Sequence, residues 1–322
     1  MHLPQEIRDE IYANVFRSIH FTHKWYDEGR RAGTSTPETG LALLRTCHRV
    51  RDEIGLFWLH HVLFDFSTPR KMLDVLADIP ITLRRQIRYV CVSGNELMTD
   101  HEPWSPYHTS QVLKMLPGLE LDTLTVIVDQ FWGPLASFRN LYDLIRDSDG
   151  WKELHYLLDS PEPFAYKAVV FDVNNARMLR TDCSPRPQPS DLQNTLEQRD
   201  GQASHPSVVV YQAAATAAPG ADMPVLHPCI QKVFNQLREV FAPYERFLVK
   251  LEDATPIALE QFERRHFLVV VKRGVGVEYA EKEGSPYLPY GDMREDFPGM
   301  TWKEIRVPPV TEHDDDDDDD WY

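Results

Sequence analysis

Two histidine pairs are the first side chains that could do chemistry: His20 and His23 in H-x-x-H, and the adjacent His60 and His61. Imidazoles hold zinc when a further Cys, His or carboxylate stands at a ligand spacing. Neither pair has one nearby, so no metal and no other cofactor is expected. Gly274-Val-Gly276 follows an apolar run, as a phosphate-cradling loop would, but no third glycine opens a helix after it. No G-x-S-x-G elbow or Walker pattern occurs. The four cysteines, Cys47, Cys91, Cys183 and Cys229, form no C-x-x-C pair. Cys47 and Cys91 lie in apolar stretches, where burial keeps a thiol protonated and inert. Asp129 and Asp159 end apolar runs, where α/β enzymes place carboxylates, although turn capping uses the same residue there. The run Asp314–Asp320 could attract a divalent ion or a basic partner, yet it lacks the glycine turn and spaced ligands of a calcium loop. No catalytic residue is expected from these patterns.

The elements that would position such residues begin almost at once. In LPQEIRDEIYANVF, residues 3–16, Ile7, Ile11 and Val15 recur every four positions, with Tyr12 and Phe16 beside them. That spacing predicts an amphipathic helix. Pro4 suits its first turn, and Glu6, Asp9 and Glu10 suit the positive end of its dipole. Burying five such side chains is worth about 10 kcal/mol, so the stripe needs a cover, from within the chain or from a partner. Residues 24–40 read as a polar loop. A second helical region spans 41–61, with Leu41, Leu44, Cys47, Val50, Ile54 and Phe57 facing inward.

Helix and strand then alternate. Strands are expected at 62–66, 89–92, 124–128 and 154–158, with helices at 70–79, 108–116 and 135–146 between them. Apolar strands separated by helices argue a parallel sheet. A short irregular solenoid, leucine-rich-repeat-like, and an open sheet covered on both sides both fit this rhythm. Further strands are expected at 164–173, 207–213 and 266–272. Residues 181–206 read as a polar, partly disordered insertion with a turn of helix at 191–198. Pro228 to Phe241 reads as the cleanest helix of the chain, and a short one should follow Thr255 and Pro256. Beyond Gly284, recurring proline and glycine suggest that order fades. The expected organisation is therefore a helical head over 1–61, an α/β body over 62–305 and a disordered acidic tail over 306–322.

Composition narrows the class. With 322 residues and 42% apolar content the chain can bury a large core. Its formal charge is −16, and Glu312 with Asp314–Asp320 supplies half of it. Nucleic acid is not expected as a partner, because phosphate binding needs a basic surface. No apolar run reaches membrane-spanning length, so no membrane is expected either. The acidic N-terminal stretch lacks the pattern of a signal peptide or presequence, and the scattered cysteines suit a reducing compartment, cytoplasmic or nuclear.

The two helical segments also carry a resemblance. L-P-x-E-I-R-x-x-I-Y-x-x-V-F, here Leu3 to Phe16, is followed by L-L-R-T-C-x-x-V-R-x-E-I, here Leu43 to Ile54. Together they resemble the N-terminal motif of a large group of uncharacterised fungal F-box-like proteins. The segments Arg199–Tyr211 and Ile87–Val92 are similar to later parts of that group. The motif proper covers roughly a tenth of the chain. In F-box domains, small helices beginning with Leu-Pro dock on a Skp-type adaptor of a cullin–RING ubiquitin ligase, and a C-terminal repeat domain holds the substrate. The resemblance implies that Leu3, Pro4, Ile7 and Ile11 face such an adaptor. The competing reading packs Ile7, Ile11 and Phe16 on Leu44, Val50 and Phe57 inside the protein's own core. Three functions stand in order: a non-catalytic protein-binding protein, as a ubiquitin-ligase substrate receptor; a stand-alone scaffold with no ubiquitin-ligase link; and an enzyme of unknown chemistry. Outside any complex a monomer is expected.

Overall fold

A computed structural model describes residues 3–22, 44, 48–99, 106–128, 133–158, 169–172, 177–180, 189–213, 227–228, 237–239, 267–289 and 291–307. Helix α1 (Gln5–Arg17) leads into a short strand β1 (His20–Thr22), and helix α2 (His48–Ile54) with a 3-10 turn at Phe57–His60 leads into β2 (Leu63–Phe66). From there α3 (Pro69–Leu76) and α4 (Ile81–Arg84) precede β3 (Tyr89–Ser93). Helix α5 (Thr109–Leu113) precedes β4 (Leu121–Val128), and α6 (Gly133–Asp147) precedes β5 (Trp151–Leu158). The hairpin of β6 (Val169–Asp172) and β7 (Arg177–Arg180) forms its own two-stranded sheet. Then come α7 (Pro189–Asp200), β8 (Ser207–Ala213), β9 (Leu237–Glu239), β10 (Phe267–Lys272), α8 (Met293–Asp296) and α9 (Trp302–Ile305).

The main sheet has eight strands in the order β1-β2-β3-β4-β5-β10-β8-β9. The first five are parallel and lie side by side in chain order. β10 then pairs antiparallel with both β5 and β8. Alternate side chains sort to two faces, as a period of two requires. One face carries Phe64, Val90, Val92, Leu124, Val126, Leu154, Tyr156, Val269 and Val271, which share a single core with residues of α1, α2, α3 and α5 to α9. The other carries Leu63, Cys91, Leu157, Leu268, Val270 and Tyr211, and no helical residue joins that cluster. The described helices therefore cover one face. The second face is buried as well, and the helix–strand alternation expected from the sequence is what the structure bears out. No helix among the described residues is long and apolar enough to cross a membrane.

Local chemistry explains why the crossovers hold. Thr68 caps α3 by accepting from the Lys71 N–H at 3.2 Å, with Pro69 in the first turn. Met72, Leu73 and Leu76 are fully buried below it. At the other end of α3, Arg84 donates to the carbonyls of Leu76, Ala77, Ile79 and Pro117 at 2.7–3.0 Å. Two of these, Leu76 and Ala77, are carbonyls that the helix end leaves without intrahelical donors.

A second buried cluster ties the far side of the sheet. Arg273, immediately after β10, donates through Nε to both carboxylate oxygens of Asp200, at 2.9 and 2.8 Å, and through Nη1 to Asp149 at 3.2 Å. Arg199 reaches the same Asp149 at 2.6 Å and also donates to the carbonyls of Ile145 and Ser148 at the end of α6. Asp200 has no exposed side-chain surface. The Arg-Asp-Gly of the sequence is thus a clasp between α6, α7 and β10.

One sequence expectation is extended and two are corrected. The polar insertion over 181–206 contains a three-turn helix, α7, whose Leu192 and Leu196 are fully buried. The turn of helix expected at 191–198 is thus the middle of a longer helix; its seam of two leucines four apart is narrow, and Gln193 adds to the packing by bonding the Pro206 carbonyl and the Val208 N–H. The helix expected from Pro228 to Phe241 does not run through: Leu237–Glu239 pairs as β9 with β8. Helical spacing there lost to backbone bonds offered by a sheet edge, and 229–236 lie outside the described residues. Order does not fade after Gly284 either, because Met293, Phe297, Trp302 and Ile305 anchor the C-terminal arm in the main core. Trp302 Nε1 and Arg306 both bond Asp74 of α3. The polar loop over 24–40, the short helix after Pro256 and the tail beyond Val307 lie outside the described residues.

Candidate functional site

Helix α1 has two apolar faces. Tyr12, Ala13 and Phe16 are buried, and Phe16 has no exposed surface. Leu3, Ile7 and Ile11 form a row on the other side, 48%, 45% and 45% exposed. At 3.6 residues per turn, Ile7 and Phe16 stand about 180° apart, so one side packs inward while the other meets solvent. The stripe expected from the sequence, Ile7, Ile11 and Val15, is therefore not the hidden one: Val15 is half-buried, and Tyr12 and Phe16 do the packing. The own-core reading holds for Phe16, whose cluster includes Leu44, Val50 and Phe57, and fails for Ile7 and Ile11.

Polar contacts fix the helix in that orientation. Glu53 of α2 accepts from the Tyr12 hydroxyl at 3.2 Å and pairs with Arg8 Nε at 3.2 Å. Arg8 also donates to the Leu3 carbonyl at 2.7 Å and to Gln5, which holds the Leu3-Pro4 entry against the first turn. Pro4 is exposed and stands at the N-cap, one position before the helix proper. All four residues expected to meet a partner, Leu3, Pro4, Ile7 and Ile11, are thus at the surface.

The residues singled out for chemistry are dispersed. His20 lies in β1, and His23 lies outside the described residues, as do Cys47, Asp129, Asp159, Cys183, Cys229 and the aspartate run. Ser93, which ends β3, accepts from the Asn95 N–H at 3.4 Å in a turn. Cys91 is buried, and that burial together with the Asp65 carboxylate beside it pushes its thiol well up, away from the reactive thiolate. Among the described residues, no three His, Cys, Asp or Glu gather closely enough to hold a metal ion.

Gly274 serves packing. Its N–H donates to Asp200 at 2.9 Å, and a Cβ there would stand 1.9 Å from the Ser204 hydroxyl oxygen. Gly274→Ala should cost about 1–3 kcal/mol through this overlap, read from urea unfolding midpoints. Adding Ser204→Gly to that variant should recover part of the loss.

His60 bonds Gln86 at 2.5 Å, while His61 packs edge-on against Phe57 with ring centroids 4.5 Å apart. Both nitrogens of His61 are buried without a hydrogen-bond partner. Burial first, then the charges of Arg17, His60 and His227, pushes its pKa down from 6.5 to about 4. The unfolded chain therefore takes up this proton first. Stability from this site is complete above about pH 7 and is lost as pH falls toward about 4, by about 1–3 kcal/mol given its partial exposure. Unfolding midpoints measured at pH 7.5 and pH 5 should differ less in His61→Phe than in the parent chain.

A cleft of about 700 Å³ opens between α5, α6 and the C-terminal arm. Glu96, just after β3, and His108, just before α5, face each other there with Oε1 and Nδ1 3.9 Å apart. Burial raises the Glu96 pKa, against the opposing effect of Arg139. Burial first, then the Arg139 charge, lowers that of His108. Deeper in the wall, Asn140 ties the elements together, donating to the Gly94 carbonyl and accepting from the Thr109 N–H at 3.2 Å. Sequence reasoning missed this cleft, because its polar residues come from separate elements and form no motif. No family model matches the chain, and no curated protein or solved structure is found similar to it.

Proposed function

We propose that this protein is a non-catalytic protein-binding protein and that the outer face of α1 is its docking handle. One observation carries the reading: a helix already anchored through Tyr12, Ala13 and Phe16 leaves a second apolar row, Leu3, Ile7 and Ile11, in solvent. Single exposed leucines are ordinary, but three aligned on one helical row form the pattern of a helix that meets a groove. The Leu-Pro entry and the spacing of that row suit a Skp-type adaptor, which would make the α/β body the substrate-holding part of a cullin–RING ubiquitin ligase receptor. The test mixes the purified full chain with a purified Skp-type adaptor and follows the complex by size-exclusion chromatography and calorimetry. A saturable complex of equal stoichiometry is expected. Its absence would remove the ligase assignment and leave a stand-alone scaffold.

A further inference from the structure

We propose that the cleft between α5, α6 and the C-terminal arm binds a small zwitterion, a free amino acid, through Glu96 and Arg139. The site is distinct from the α1 handle, and the inference does not rest on that reading.

Size and construction come first. About 700 Å³ is in the range of small-ligand sites. The wall is built from three directions. β3 hands over Glu96, α6 presents Arg139, and the arm closes the cleft through Leu288 and Gly291. Gly291 has φ +64°, and a Cβ there would stand 2.6 Å from the Gln111 side-chain nitrogen, so only glycine lets the arm approach α5 this closely.

The charges then divide into two groups. Arg146 is already engaged, pairing with Asp143 at 3.2 Å and Asp147 at 2.5 Å. Among the described residues, Glu96 and Arg139 make no hydrogen-bonded ion pair. The Glu96 side chain is only 13% exposed, and its nearest cationic candidate, His108 Nδ1 at 3.9 Å, is beyond hydrogen-bond reach. That imidazole is also held toward its neutral form. Arg139 makes no ion pair with any described residue, although its field reaches Glu96, His108 and Asp143. The fold thus leaves one mostly buried carboxylate and one guanidinium in the same cleft without joining them.

A ligand that answers both charges needs an ammonium next to a carboxylate. The ammonium donates to Glu96, filling the gap before His108. The carboxylate receives the planar donor fork of Arg139. A simple amine would answer Glu96 but leave the Arg139 donor fork to water, and a simple carboxylate would leave Glu96 partly desolvated without a donor.

The experiment titrates the full chain, labelled with 15N, with each of the twenty free amino acids, and with acetate and methylammonium as the two halves. At least one amino acid should saturate below about 10 mM, with shifts centred on residues 94–96, 106–111 and 136–143, and each half should bind at least about tenfold more weakly. Glu96→Gln and Arg139→Gln should each weaken the amino acid at least about tenfold. Both variants should keep the parent amide spectrum elsewhere, since Glu96→Gln is nearly isosteric and Arg139 is exposed. Three results would overturn the proposal: no saturation by any amino acid, halves that bind as well as the whole, or affinity unchanged in both variants. Adaptor binding is measured on the same two variants and should stay at the parent value, which separates failure here from failure of the docking handle.

Discussion

A chain carrying Ile7→Asp and Ile11→Asp should unfold within about 2 °C of the parent and bind a Skp-type adaptor about 100-fold more weakly or not at all. Both halves of the expectation come from the same geometry. Ile7 and Ile11 are each 45% exposed, so an aspartate replaces a side chain of which nearly half already meets water. Surface substitutions of this kind usually shift stability by less than about 0.5 kcal/mol. In a docked complex the same positions would be desolvated, and two carboxylates without partners at the centre of an interface cost several kcal/mol. Phe16→Ala should behave in the opposite way. It removes a fully buried ring and should cost about 3–5 kcal/mol of stability, which circular dichroism melting would register. If the aspartate pair instead unfolds the protein, the row is covered by the chain itself and the handle reading fails.

Asp200→Ala should be the most damaging single change in the body, at about 3–5 kcal/mol. The carboxylate has no exposed surface and receives Arg273 Nε on both oxygens as well as the Gly274 N–H at 2.9 Å. Removing it strands a guanidinium whose side chain is only 3% exposed. Asp149 keeps one of its contacts to Arg273, at 3.2 Å, so the charge is not wholly abandoned. Asp200→Asn retains an acceptor for Gly274 and should lose less. Urea unfolding of the two variants beside the parent decides this, and a loss under about 1 kcal/mol for Asp200→Ala would show that the clasp is not what holds β10 to α7.

The legible parts of the fold were those whose burial is written in unbroken apolar runs. In LTVIV of β4 every residue is buried or half-buried, and in β10 Phe267 to Val271 are buried without a break. The crossover helices showed through Met72, Leu73 and Leu76, or Leu141, Leu144 and Ile145, at helical spacing. Elements that rest on two or three anchors showed too short or not at all. Leu192 and Leu196 are outnumbered by polar neighbours, and Met293, Phe297, Trp302 and Ile305 are scattered among proline, glycine and charge. Leu237–Glu239 has the spacing of a helix, but which backbone it meets depends on β8, a partner that local periodicity cannot name.

The candidate surface was half legible. The apolar content of α1 was plain, yet five large side chains at three- and four-residue spacing wrap around more than one side of a helix. Which side faces inward is set by where α2 and the 3-10 turn lie, through contacts such as Glu53 to Tyr12 and Arg8. The cleft was not legible, because Glu96, His108 and Arg139 meet only once β3, α5 and α6 are stacked in order.

The central claim is that the outer row of α1 is what a partner grips. Hydrogen–deuterium exchange of the full chain, free and with a saturating Skp-type adaptor, tests it most directly. The expected result is slowed exchange in peptides covering residues 3–16, with β3, β4 and β5 unchanged. A complex that leaves 3–16 exchanging as in the free chain, or no complex at all, would contradict it.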